Sequence, residues 1–138
     1  MKLSVIAQHT QGQLYGDDID AVSFSSDTRL LQAGDVFIAL SGANFDANSF
    51  VAQAQAQGAS AAIVSQYQPD CSIAQIVVAN THTALGQLAK AWREQFDLVR
   101  VAMTGSSGKT TVKELAASIF RQAGDTLATL GNKNNDIG

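Results

Sequence analysis

The stretch Val99-Arg100-Val101-Ala102-Met103-Thr104-Gly105-Ser106-Ser107-Gly108-Lys109-Thr110-Thr111 decides how the chain is read. An apolar, strand-like run gives way to a Gly/Ser loop, and the loop feeds a helical pattern. Gly105 and Gly108 let the backbone turn tightly and bring N–H groups towards anionic oxygens, and the following helix N-terminus adds the positive end of its dipole. Lys109 can reach terminal phosphates as a mobile point charge, and the Thr110 hydroxyl is placed to join the shell of a bridging magnesium ion. Gly105, Ser106, Ser107, Gly108, Lys109, Thr110 and Thr111 are therefore the expected ATP-binding residues, with Lys109 catalytic and Thr110 the metal ligand. The pattern departs from G-x-x-x-x-G-K-[ST] at one point, because position 103 holds Met rather than Gly. A plain Gly/Ser turn would also join a strand to a helix, but strand, glycines, Lys-Thr and amphipathic helix agree on phosphate binding.

Downstream, Val112, Leu115, Ala116, Ile119, Phe120 and Ala123 form one stripe, which predicts a helix over 109–123 ended by Gly124. Asp125 to Thr129 then reads as a strand, completing a β-loop-α-β unit. Two parallel strands cannot be covered on both faces, so the nucleotide domain is expected to be truncated. Upstream, Thr81 can cap a helix to about Phe96, with Leu85, Leu88, Ala89, Trp92 and Phe96 on one face and Lys90, Arg93 and Glu94 on the other. The expected division is residues 1–80 as one domain and 81–138 as a linker helix with the start of a second.

The first 80 residues read as a small α/β layer. A helix over 4–11 is expected, capped by Ser4, stopped by Gly12, with Val5, Ile6 and His9 on one side. Leu14-Tyr15, Val22-Ser23-Phe24, Val36 to Leu40, Ala61 to Val64 and Gln75 to Val78 read as strands. Ala52 to Gln57 alternates with period two, yet Ala and Gln are helix formers and Gly58 offers a stop, so a helix is preferred. Two loops carry more polar chemistry than a turn needs. Asp27-Thr28-Arg29 can bind a phosphate or carboxylate, or Asp27 and Arg29 can simply pair and brace the turn. Gly42, Asn44, Phe45, Asp46 and Asn48 suit a heterocycle or sugar, or Asp46 or Asn48 caps a helix.

Composition narrows the function classes. The 138 residues are 46% hydrophobic and 15% charged, enough for a globular core. A net charge of -3 with few aromatics argues against a nucleic-acid partner. The single cysteine, Cys71, cannot form an internal disulfide and fits a reducing compartment, while His9 and His82 lack metal-ligand spacing. No signal segment and no apolar run of about eighteen residues is present, so a cytoplasmic protein without membrane insertion is expected.

With these residues in view, the chain resembles the N-terminal part of the Mur ligases, ATP-dependent amide-bond-forming enzymes of peptidoglycan precursor synthesis. Their phosphate loop also lacks the earlier glycine, which accounts for Met103. The likeness rests on Ser106-Ser107, Val112-Lys113-Glu114, Asp27-Thr28-Arg29, Gly34 to Leu40, Phe45-Asp46-Ala47 and the closing Gly131-Asn132-Lys133-Asn134-Asn135-Asp136-Ile137-Gly138. Within the family these marks look most like members that add D-alanyl-D-alanine to a UDP-N-acetylmuramoyl tripeptide. Asn48 stands where relatives often have histidine, and Asn80-Thr81-His82 where they commonly have Asp-Thr-Arg.

The resemblance implies a domain holding the UDP end of the substrate, then an ATPase domain with Mg2+ and a third domain. It implies activation of a carboxylate as an acyl phosphate, which the amine of D-alanyl-D-alanine attacks. Lys109 and the loop N–H groups would neutralise phosphoryl charge. Asp27, Thr28, Arg29, Gly42, Asn44, Phe45, Asp46 and Asn48 would face the UDP-sugar. The family's metal-binding glutamate and carbamylated lysine would lie beyond Gly138, so a monomeric, inactive fragment is expected. Alternatives are the diaminopimelate- or lysine-adding ligase, or a generic P-loop NTPase or kinase. The 98 residues ahead of the loop strand speak against a simple kinase.

Overall fold

The structure is a computed structural model that describes residues 1–42 and 46–129. It comprises two compact units, Met1–Gln95 and a second beginning at Phe96. The expected substrate residues Asn44 and Phe45, and the Asn-rich closing motif, lie outside the described residues.

The first unit is a five-stranded sheet in the order β1-β5-β4-β3-β2. Strands β2 (Phe24–Ser25), β3 (Val36–Ile38), β4 (Ala61–Val64) and β5 (Ala74–Val77) run parallel, and β1 (Gln13–Tyr15) pairs antiparallel with β5 on the edge. The central strands are buried on both faces, as a parallel sheet requires. Alternation sorts their side chains. Val36, Ile38, Ala61, Ile63 and Ile76 pack with Leu3 and Ile6 of α1 (Leu3–His9) and Ala84 and Leu88 of α3 (Thr81–Arg93). Phe37, Ala39, Ala62 and Val64 pack with Val51 and Ala54 of α2 (Val51–Ala56). Gln75, almost fully buried in β5, closes the turn after β4 by accepting from Gln68 N at 2.9 Å and donating to Gln68 O at 2.8 Å.

The helix predicted from Ala-Gln alternation is α2, and Gly58 at φ +93° lets its last carbonyls be met by Gly58 N and Ala59 N. The ends of α1 and α3 differ from expectation. For α1 the partner is Asp18, which accepts from Ser4 N at 2.9 Å and Ser4 Oγ at 2.8 Å, so Ser4 is capped rather than capping. These bonds hold the Asp18 carboxyl below its ordinary pKa. Gln11, at φ 53°, makes the left-handed stop assigned to Gly12, while Gly12 sits against Ile76 and Val78. The buried face is Leu3, Ile6 and Ala7, with Val5 exposed. For α3 the cap is Asn80, whose Oδ1 accepts from Thr83 N at 2.9 Å, and the buried stripe is Thr81, Ala84, Leu88 and Ala91. Small residues at 84 and 91 line the buried stripe, leaving Trp92 half exposed.

Because that stripe belongs to the first core, α3 joins the first unit and the division falls after Gln95, not after residue 80. In the second unit α4 (Lys109–Ala123) has the bounds predicted from its stripe. Neither 99–103 nor 125–129 forms a paired strand among the described residues. Strand formation is a property of pairing, and apolar sequence alone does not supply the partner. Val112, Leu115, Ile119 and Phe120 are accordingly exposed.

Candidate functional site

In the first unit, residues leaving the carboxyl ends of β2 and β3 meet the start of α2 around a cleft of about 570 Å³. Ser26, Asp27, Thr28, Arg29, Phe37, Ala47, Phe50 and Gln53 line it. Asp27 caps the 3₁₀ turn Thr28–Leu30 by accepting from Arg29 N at 2.9 Å. The same carboxylate takes Arg29 Nε at 2.9 Å and Arg29 Nη2 at 2.6 Å. The bracing alternative is thus met, and both residues also line the cleft. The Arg29 side chain, through its hydrogen bonds, lowers the Asp27 pKa to about 2.

The second polar segment is wired internally. Asp46 Oδ1 accepts from Asn48 N at 2.9 Å, Asn48 Nδ2 at 2.7 Å and Ser41 Oγ at 3.0 Å, which lowers its pKa. Asn48 is buried, and it also donates to Ser65 Oγ at 2.8 Å and accepts from Ser65 N at 3.1 Å. His82 Nε2 lies 2.9 Å from Ser41 O. Asp46 and Asn48 therefore shape the wall beside the cleft without lining it, and Gly42 is outside its lining too. Sequence reasoning missed Ser26, Phe37, Ala47, Phe50 and Gln53. Phe50 and Gln53 are spaced i, i+3 at the start of a helix, and that spacing was the available signal.

In the second unit the loop 104–108 is exposed and ends on Gly108, which is left-handed at φ 73° and precedes α4 with no side-chain cap. A side-chain-bearing residue would strain there, and no side chain caps the first turn among the described residues. The first intrahelical bond is Val112 N to Gly108 O at 2.9 Å. Lys109 Nζ donates to Gly105 O, so the ammonium folds back over the loop. Thr110 and Thr111 are exposed in the first turn. Uncapped first-turn donors, the Lys109 ammonium and two hydroxyls are the groups that the sequence reading assigned to phosphate.

Comparison with known proteins matches both parts of the sequence. The model described as Mur ligase family, catalytic domain, matches residues 22–93, and that of the Mur ligase middle domain matches residues 103–138. The chain belongs to the Mur ligase family. It is 47% identical over 136 residues to the UDP-N-acetylmuramoyl-tripeptide–D-alanyl-D-alanine ligase of Escherichia coli (strain K12), covering 99% of this chain and 30% of that protein. A crystal structure of MurF from Acinetobacter baumannii superposes with a TM-score of 0.89 at 46% identity, over 97% of this chain and 30% of that one. MurF ligase from Thermotoga maritima, solved in complex with ADP, superposes at 0.76 with 31% identity, over 84% of this chain and 27% of that one. The chain thus spans about 30% of the length of the curated relatives it matches. No helix among the described residues is long and apolar enough to cross a membrane.

Proposed function

We propose that this chain supplies the sugar-nucleotide unit and the ATP phosphate loop of a cytoplasmic ligase that adds D-alanyl-D-alanine to UDP-N-acetylmuramoyl-tripeptide. The observation that carries the proposal is the 47% identity to such a ligase across 99% of the chain. It favours this reaction over the diaminopimelate- or lysine-adding alternative and over a generic kinase.

Each unit contributes a separate piece of chemistry. In the first, the cleft offers the Phe50 ring for a base or sugar face and the Arg29 guanidinium for a diphosphate oxygen. In the second, the first-turn N–H groups of α4 bind phosphate oxygens, and Lys109 moves from Gly105 O to the terminal phosphates. ATP transfers its terminal phosphoryl group to the tripeptide carboxylate, leaving ADP, and the amine then attacks the acyl carbon and displaces inorganic phosphate to form the amide. Neutralising charge on that group as it transfers is the role of Lys109. Magnesium fits the residues present in a limited way. No cluster of three His, Cys, Asp or Glu occurs among the described residues, while the Thr110 hydroxyl, exposed in the first turn of α4, would supply one hard oxygen. A magnesium ion that keeps most of its waters and phosphate oxygens asks for no more than that.

Calorimetric titration of the chain with UDP-N-acetylmuramoyl-tripeptide, and separately with ATP and Mg2+, tests the proposal. Two independent binding events are expected, neither competing with the other. Absence of uridine-nucleotide binding would remove the assignment of the first unit.

A further inference from the structure

We propose that His82 is a positioning residue for the sugar-nucleotide cleft, anchoring the segment after β3 from the first turn of α3. The proposal rests on the sugar-nucleotide reading of that cleft. Its basis is one long-range contact and the network behind it. His82 Nε2 is 2.9 Å from Ser41 O, across 41 residues of sequence. A carbonyl oxygen only accepts, so Nε2 carries the hydrogen and donates it.

The contact propagates to the cleft through short links. Ser41 Oγ donates to Asp46 Oδ1 at 3.0 Å and accepts from Ala47 N at 3.2 Å. Asp46 caps the 3₁₀ turn Ala47–Phe50 by taking Asn48 N. Ala47 and Phe50, the two ends of that turn, line the cleft. On the other side Asn48 ties the same turn to Ser65, just after β4. The cleft wall is therefore held from two directions, by Asn48 from the β4 end and by His82 from α3. Asn48 is buried and its removal disturbs the fold, whereas His82 is half-buried at a helix end. Loss of the His82 contact should therefore loosen the wall and leave the core intact.

The test uses the 138-residue chain as wild type, His82→Ala and His82→Gln. Three readouts are taken: affinity for UDP-N-acetylmuramoyl-tripeptide, amide exchange at Ala47 and Asn48, and the ¹⁵N signature of the imidazole. His9, the other histidine, is exposed and serves as reference. The wild-type spectrum should show the hydrogen on Nε2 of His82. His82→Ala should weaken binding ~3- to 10-fold, the size of one neutral hydrogen bond, and speed exchange at both amides. ATP affinity and the unfolding midpoint should stay at wild-type values. His82→Gln, which retains a donor, should recover most of the affinity.

Unchanged affinity and exchange in His82→Ala would overturn the proposal, as would a His82→Gln variant as weak as the alanine. If the wild type binds no sugar nucleotide, the functional reading falls and takes the substrate half of this proposal with it. The exchange data then still decide whether His82 anchors the wall.

Discussion

Asn48→Ala separates a ligand contact from a structural clasp. Sequence placed Asn48 on the UDP-sugar side, but its side chain is 5% exposed and fully engaged. Three bonds have good geometry: Nδ2 to Asp46 Oδ1 at 2.7 Å, Nδ2 to Ser65 Oγ at 2.8 Å and Ser65 N to Oδ1 at 3.1 Å. The fourth, from Gln66 N at 3.4 Å, is too long to add much. At about 0.5–1.5 kcal/mol each, with Ser65 N left without its acceptor, the loss should be about 2–4 kcal/mol. For a domain of this size that lowers the unfolding midpoint by roughly 10–25 °C. Trp92, the single tryptophan, sits in α3, so its fluorescence during urea denaturation reports the first unit alone. The denaturation slope should be unchanged, because the surface exposed on unfolding is the same. A loss below about 1 kcal/mol accompanied by abolished sugar-nucleotide binding would refute the clasp and return Asn48 to direct ligand contact.

Other outcomes follow from single features. Gly12→Ala should destabilise by about 1–3 kcal/mol, because a Cβ there would lie 2.7 Å from Ile76 Cγ2 and 2.8 Å from Val78 Cγ1; a wild-type midpoint in the same urea experiment would contradict it. Asp27 has its pKa depressed by Arg29, from an ordinary 3.8 to about 2. Its contribution is therefore complete above the unfolded value and fades as pH falls from there through about 2, and a side-chain ¹³C titration midpoint at 3.8 would deny the pairing. Lys109→Ala should abolish ATP binding by the chain while sugar-nucleotide affinity holds, and loss of both in parallel would show that the lysine acts beyond the phosphate loop.

Much of the fold was legible because it depends on local preference. The α2 segment reads as period two, yet helix formers with a glycine stop overrode the pattern, and Val51 and Ala54 turned out to be the buried pair. What stayed hidden depends on partners distant in sequence. The α1 cap comes from Asp18, 14 residues from Ser4, where a local reading finds only Ser4 itself. Along α3, hydrophobicity selects Leu85 and Trp92, whereas the core takes Ala84 and Ala91 on the stripe that meets it. The strands expected at 99–103 and 125–129 carry the right residues but show no pairing among the described residues, and a ladder depends on its partner rather than on local sequence.

The candidate site was legible as a set of segments but not as roles, and the topology says why. Four strands run parallel, so the residues that follow them all emerge at the same edge of the sheet. Those residues are Ser26 to Arg29 after β2, Ser41, Gly42 and Asp46 to Asn48 after β3, Ser65 after β4 and Asn80 to His82 before α3. Each was polar in sequence, and two were singled out as ligand-facing. At a shared edge, however, polar side chains meet one another before they meet a ligand. Asn48 found Ser65 and His82 found the Ser41 carbonyl, while Phe37, Phe50 and Gln53 line the space between together with Ser26 to Arg29. Sequence reading assigned Asp46 and Asn48 to the ligand because it could not see that they satisfy each other and their neighbours. Such an edge divides into residues that touch the substrate and residues that hold the first group still, and the second group is where a single substitution can loosen binding without removing a contact.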